Sequence, residues 1–122
     1  MKKTLMTSVK LQKKLHYTLQ QCVVAEGYGM HGKSKWIIES IESLLEFEDF
    51  PSLVEIADVM ENLDEVVSIR LPESLMARME NAVITVRKQF PLIEGVKSNL
   101  IRASIIQRLL RDSTSVTEVG LK

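Results

Sequence analysis

Two cations stand inside short alternating stretches, each two residues beyond a serine: Lys10 in Ser8-Val9-Lys10-Leu11 and Arg70 in Ser68-Ile69-Arg70-Leu71. Such side chains donate hydrogen bonds to oxygen acceptors, and arginine can hold two acceptors at once through its planar fork. A second polar pair recurs as Lys33-Ser34 and Lys97-Ser98, each opening an apolar-periodic segment. A lysine in the first turn of a helix opposes the helix dipole, a misfit that a nearby anion relieves. The chemistry these groups offer is anion-directed hydrogen bonding, not bond making. The other reactive types point to structure. Gly27, Gly29 and Gly32 spell G-x-G-x-x-G but follow a helical pattern rather than a strand, so they read as a helix stop and turn. Cys22 shares a helix stripe with Leu15, Leu19 and Val23 and reads as core, as does Trp36 on the next helix. His16 and His31 have no third metal ligand near them. With no nucleophile beside a base, no metal cluster and no phosphate loop, the chain reads as a non-enzyme that calls for no cofactor or metal.

Those donors need elements to hold them. Val66-Val67-Ser68-Ile69-Arg70-Leu71 alternates as a strand, with Val67, Ile69 and Leu71 on one face and Val66, Ser68 and Arg70 on the other. Pro72 ends it and suits the first turn of the following helix. Met6 to Leu11 is the matching strand, with Thr7, Val9 and Leu11 inward. A lone strand leaves its backbone unpaired, so the two copies are expected to pair antiparallel. The resulting ribbon has an apolar underside and an outer face carrying Ser8, Lys10, Ser68 and Arg70. Apolar spacing predicts helices over about 12–26, 33–45, 53–63 with Ser52 as N-cap, 73–90 and 97–111. Residues 1–5 read as a short basic arm and 112–122 as a frayed tail.

Composition excludes several classes. One cysteine rules out an internal disulfide framework and suits a reducing compartment. No apolar run approaches the ~18 residues of a membrane span and no secretory signal is present, so a cytoplasmic protein without membrane partners is expected. The net charge of zero hides a strong division. Residues 46–65 hold eight acidic residues and no basic one; residues 1–45 carry seven Lys/Arg against three Asp/Glu, and residues 66–122 carry nine against five. A polyanion meets the local field rather than the sum, so both flanks suit it and the middle repels it.

The halves also repeat. Leu15, Leu19 and Val23 align with Leu75, Met79 and Val83 at an offset of 60, and Lys33-Ser34, Trp36-Ile37 and Ser40-Ile41 align with Lys97-Ser98, Leu100-Ile101 and Ser104-Ile105 at an offset of 64. Strand, helix, turn and helix, with a basic residue in the strand and a G-x-[KR]-S start to the second helix, resembles the ribbon-helix-helix family of DNA-binding proteins, of the Arc and methionine-repressor type. The resemblance covers residues 6–45 and 66–111 and is to a tandem form with both half-units on one chain. The expected fold is therefore mainly α with a short antiparallel two-stranded β ribbon, β-α-α twice. The units are 6–45 and 66–111, joined by an acidic helical connector, 46–65, and followed by the tail, 112–122.

The resemblance implies that the ribbon enters the major groove of double-stranded DNA. The base-contacting side chains would be Met6, Ser8 and Lys10 from one strand and Val66, Ser68 and Arg70 from the other. It implies phosphate contacts at the second-helix N-termini, Gly32, Lys33, Ser34 and Val96, Lys97, Ser98. Gly32 and Val96 replace the usual capping Ser/Thr, which shifts that work toward Ser34 and Ser98. Met6 and Val66 offer at most contact with a thymine methyl. The implied function is a site-specific transcriptional regulator of bacterial, plasmid or phage type that self-associates with two chains per operator. Two alternatives use the same fold: a relaxosome or partition accessory protein, and an antitoxin-like module meeting a protein partner through the acidic connector.

Overall fold

Alternating apolar and polar residues build two strands, β1 (Thr4–Leu11) and β2 (Glu65–Pro72), and these pair antiparallel within the one chain. The structure, a computed structural model, describes residues 3–29 and 32–120, and for residues 112–120 the backbone alone. Ser8 faces Ser68 at the middle of the ladder, flanked by Thr7 opposite Ile69 and Val9 opposite Val67. Strand parity then sets the faces. Val9, Leu11, Val67, Ile69 and Leu71 are buried, whereas Met6, Ser8, Lys10, Val66, Ser68 and Arg70 are exposed. A slip of one residue would invert every one of them.

The ladder is longer than the sequence reading made it. β1 starts at Thr4, opposite Pro72, and the Lys3 carbonyl accepts the Glu73 N–H at 3.0 Å. That bond satisfies one of the donors a helix leaves at its N-terminus, and the ladder corrects Thr4 and Leu5 from arm to strand. Pro72 is the last strand residue and the N-cap of the next helix, not a member of its first turn. Met1 and Lys2, the rest of the expected arm, lie outside the described residues.

Five helices complete a mainly helical protein. α1 (Lys13–Ala25) buries Leu19 and Val23, with Leu15 and Cys22 packed partly against the core. It ends as the glycine spacing predicts. Gly27 has φ +83°, and the N–H groups of Gly27 and Tyr28 return to the Val24 and Val23 carbonyls at 3.1 and 3.0 Å. This is a left-handed glycine cap, which satisfies two of the helix's last carbonyls. α2 (Lys33–Leu45) has the expected bounds and buries Trp36, Ile37, Ser40, Ile41 and Leu44. Gly32 before it is needed for space, because a Cβ there would overlap the Tyr28 Cβ and carbonyl. Met30 and His31 lie outside the described residues.

α3 (Phe50–Ala57) corrects the expected connector helix in both bounds. Pro51 sits in its first turn, where a fixed φ and a missing N–H cost nothing. Ser52 is therefore inside the helix, and its hydroxyl donates to Asp49 Oδ1 at 2.8 Å instead of capping. Met60 and Leu63 follow the apolar period but lie past the helix end, beyond Asp58. α4 (Glu73–Gln89) buries Leu75, Met76, Met79, Ala82 and Val86 and stops before Pro91.

α5 (Val96–Gly120) starts one residue earlier than expected, after Gly95 at φ +60°, and its backbone stays helical through Gly120. The expected frayed tail is corrected to that extent, since no proline and no earlier glycine interrupts residues 112–119; Leu121 and Lys122 lie outside the described residues. α5 is the central helix. It packs against α2, α3 and α4, so residues 99–105 are buried on every side, including Asn99, Arg102 and Ser104. α3 covers the side of α5 that the sequence stripe leaves open, through Val54 and Ala57. Among the described residues no helix is long and apolar enough to cross a membrane.

Candidate nucleic-acid interface

The six side chains expected to face a ligand from the ribbon all lie exposed on its outer surface, over a floor of buried aliphatics. Their arrangement follows from the register. Ser8 and Ser68 face each other at the centre, Met6 lies opposite Arg70, and Lys10 lies opposite Val66. Each cation therefore has an apolar residue across the strand, Met6 at 58% and Val66 at 63% exposure. Among the described residues of the two strands, no carboxylate shares this outer face with the two cations. Lys10 and Arg70 stand at diagonal corners, four residue steps apart along the ribbon, or roughly 14 Å at ~3.4 Å per residue.

Both outer edges of the ribbon are tied down by helices. The Arg70 N–H donates to Ser34 Oγ at 3.2 Å, so the first turn of α2 holds the backbone of the arginine. On the other edge the Lys10 carbonyl accepts from Arg102 Nη1 at 3.0 Å, so α5 holds the backbone of the lysine. Arg102 also donates to Asn99 Oδ1, and Asn99 Nδ2 donates to Asp58 Oδ1 at 2.8 Å. Burial pulls the Arg102 guanidinium below its ordinary pKa, and the charge of Asp58 offsets part of that fall. Arg102 Nε has no hydrogen-bond partner, which leaves one donor of a buried cation unsatisfied. Arg102, Asn99 and Asp58 carry no local signal in the sequence, since Lys10 and Arg102 are 92 positions apart.

The helix starts expected to meet an anion are less uniform. The first bond of α2 runs from the Trp36 N–H to the Gly32 carbonyl at 3.0 Å, so the N–H groups of Lys33, Ser34 and Lys35 precede the intrahelical ladder. No side chain caps this end. The Gly32 N–H is already used, donating to the Gly29 carbonyl at 3.2 Å. Lys33 Nζ lies 2.9 Å from His16 Nε2, and His16 Nδ1 lies 2.7 Å from Glu65 Oε1. Since a lysine ammonium only donates, His16 accepts through Nε2 and donates through Nδ1 to the carboxylate. The misfit of Lys33 with the helix dipole thus has an internal acceptor that sequence reasoning missed. At α5 the first bond joins the Asn99 N–H to the Gly95 carbonyl at 3.0 Å, leaving the N–H groups of Val96, Lys97 and Ser98 ahead of the ladder. Val96 is buried at the first helical position, so only its backbone can take part.

One further polar cluster sits away from the ribbon. Arg108 stacks 4.3 Å from the Trp36 ring centroid and donates to the Trp36 carbonyl at 2.9 Å, to Glu26 Oε1 at 2.8 Å and to Tyr28 Oη at 3.0 Å. Burial lowers its pKa, but the bonds to Tyr28 and Glu26 outweigh that and leave it raised. The cluster locks the α1–α2 turn onto α5 and is a structural feature. Comparison with protein-family models, with curated proteins and with solved structures found no match to this chain.

Proposed function

We propose that the chain is a site-specific double-stranded DNA-binding protein built as a tandem ribbon-helix-helix unit. In this reading its β1–β2 ribbon enters the major groove and α3 joins the two halves. One observation carries it. A ribbon paired within one chain exposes Met6, Ser8, Lys10, Val66, Ser68 and Arg70 together, with its cations at diagonal corners about a central Ser8–Ser68 pair. A major groove admits a two-stranded ribbon, and such outward donors reach base edges there.

The spacing sets the expected footprint. Roughly 14 Å between Lys10 and Arg70 along the ribbon corresponds to about four base-pair steps of ~3.4 Å. Related positions about the central serines call for a short, imperfectly palindromic subsite. It would be asymmetric because arginine holds the two acceptors of guanine as a fork, whereas lysine acts as a point charge. Ser34 and Arg102 serve as positioning residues for the backbones of Arg70 and Lys10. The free N–H groups at the starts of α2 and α5, with Lys97 and Ser98, take phosphates, and Lys33 joins them to the extent that His16 releases it.

Four polar readers on one ribbon are few for a selective site, so the operator is expected to hold two chains side by side. The experiment is selection of bound fragments from random-sequence duplex DNA, then footprinting and sedimentation of the complex. The reading requires enrichment of a paired subsite protected in the major groove. Recovery of unenriched sequence would overturn it.

A further inference from the structure

The turn that follows α4 and the C-terminal end of α3 enclose a shallow groove of about 320 Å³ away from the ribbon strands. Its lining joins the apolar Phe90, Pro91, Leu92 and Ile93 to the acidic Glu55 and Asp58. Leu92 is 94% exposed, a large aliphatic side chain at the tip of a turn with nothing covering it. Val59, next to Asp58 in the chain, is also exposed, at 78%. The chain around these two carboxylates is one-signed, with eight acidic residues and no basic one between 46 and 65. The cations nearest in sequence, Lys88 and Lys97, do not line the groove. At the low end of the range of about 300–1,000 Å³ for ligand sites, and open along one side, it suits protruding side chains better than an enclosed small molecule.

We infer that this groove docks a segment of another protein whose apolar side chains are flanked by Lys or Arg. Apolar residues would cover Leu92 and Phe90 while the cations meet Glu55 and Asp58. Exposed apolar side chains beside charges of one sign are the common chemistry of a docking patch, in which the charges exclude wrong partners and the apolar groups supply the contact. The sign of these carboxylates disfavours nucleic acid. Asp58 gives the groove a further consequence, since its Oδ1 accepts from Asn99, which holds Arg102, which donates to the Lys10 carbonyl. A cation arriving at Asp58 competes for the carboxylate at the outer end of that chain of bonds, so occupancy reaches the backbone of a ribbon residue.

The test uses the full chain, labelled with ¹⁵N, and a synthetic helical peptide with leucines on one face and lysines on the other. A second peptide carries glutamate in place of every lysine. The expected result is salt-sensitive binding of the lysine peptide, with amide shifts at residues 55, 58, 90, 92 and 93 and at the Asn99 side chain. Combining Glu55→Lys with Leu92→Ser changes two exposed positions and should weaken binding at least tenfold while leaving the rest of the spectrum in place. Equal binding of the glutamate peptide, shifts centred elsewhere, or an unaffected double variant would each overturn the inference. So would concentration-dependent dimerisation abolished by Leu92→Ser, which would make a second copy of the chain the occupant. Because the measurement contains no DNA, its failure is distinct from failure of the DNA-binding reading.

Discussion

The register of the ribbon makes adjacent residues on β2 unequal, and the difference is measurable. Ile69 is 1% exposed under the ribbon, and Val66, three positions earlier, is 63% exposed on top. Ile69→Ala removes about three buried CH₂-sized groups at ~0.8 kcal/mol each, and the cavity left behind raises the cost to about 3–4 kcal/mol. That is a large part of a total stability of about 5–15 kcal/mol. At roughly 4 °C per kcal/mol for a domain of this size, the melting temperature should fall by about 12–16 °C. Val66→Ala removes atoms that are mostly in water, so its cost should stay within about 0.5 kcal/mol. Urea titration followed by circular dichroism gives both numbers, with an unchanged slope showing that the folded state stays equally compact. A Val66→Ala cost equal to or above that of Ile69→Ala would refute the reasoning, and a fully reversed order, Val66 costly and Ile69 cheap, would mean that the ladder is slipped by one residue.

Gly32→Ala places a Cβ against the Tyr28 backbone and should destabilise by about 1–3 kcal/mol through overpacking, read in the same titration. Arg108→Ala loses charge-assisted bonds to Glu26 and its stack on Trp36, and should cost about 2–4 kcal/mol, with a red-shifted tryptophan emission as the α1–α2 turn loosens. Lys97→Ala should flatten the salt dependence of DNA binding by a log–log slope of ~0.9 for its phosphate contact. Lys33→Ala should flatten it less, because His16 already holds the ammonium; equal slopes would mean that His16 gives up the lysine on DNA.

Alternation made the two strands and their faces legible, and the apolar stripe on residues 33–45 gave α2 its bounds. A period of two or of 3.6 is a local signal, and it survives wherever one face is buried against one neighbour. It failed where an element has several neighbours. α5 is enclosed by α2, α3 and α4, so Asn99, Arg102 and Ser104 are buried although they lie off the stripe. It failed again in α3, where Met60 and Leu63 continue the period past a helix that Pro51 starts early and that stops at Ala57. Of the candidate site, the six ribbon positions could be read, because parity alone puts them on one surface. The groups that hold them in place could not. Arg102 to Lys10, Ser34 to Arg70 and His16 to Glu65 join residues 92, 36 and 49 positions apart, and only the tertiary fold brings them together.

The central claim is that the outer face of the ribbon reads DNA sequence. The direct measurement is the affinity of the wild-type chain, Lys10→Ala and Arg70→Ala for a selected operator and for a scrambled duplex of equal length, across a salt series. Both positions are exposed, so the fold should be unaffected. A bidentate contact is worth ~1–3 kcal/mol of base discrimination, so Arg70→Ala should lose about 5–150-fold on the operator and little on the scrambled duplex. Lys10→Ala should show the same bias to a smaller degree. If Arg70→Ala weakens operator and scrambled DNA by the same factor, the ribbon acts only as a charged surface and the account is contradicted.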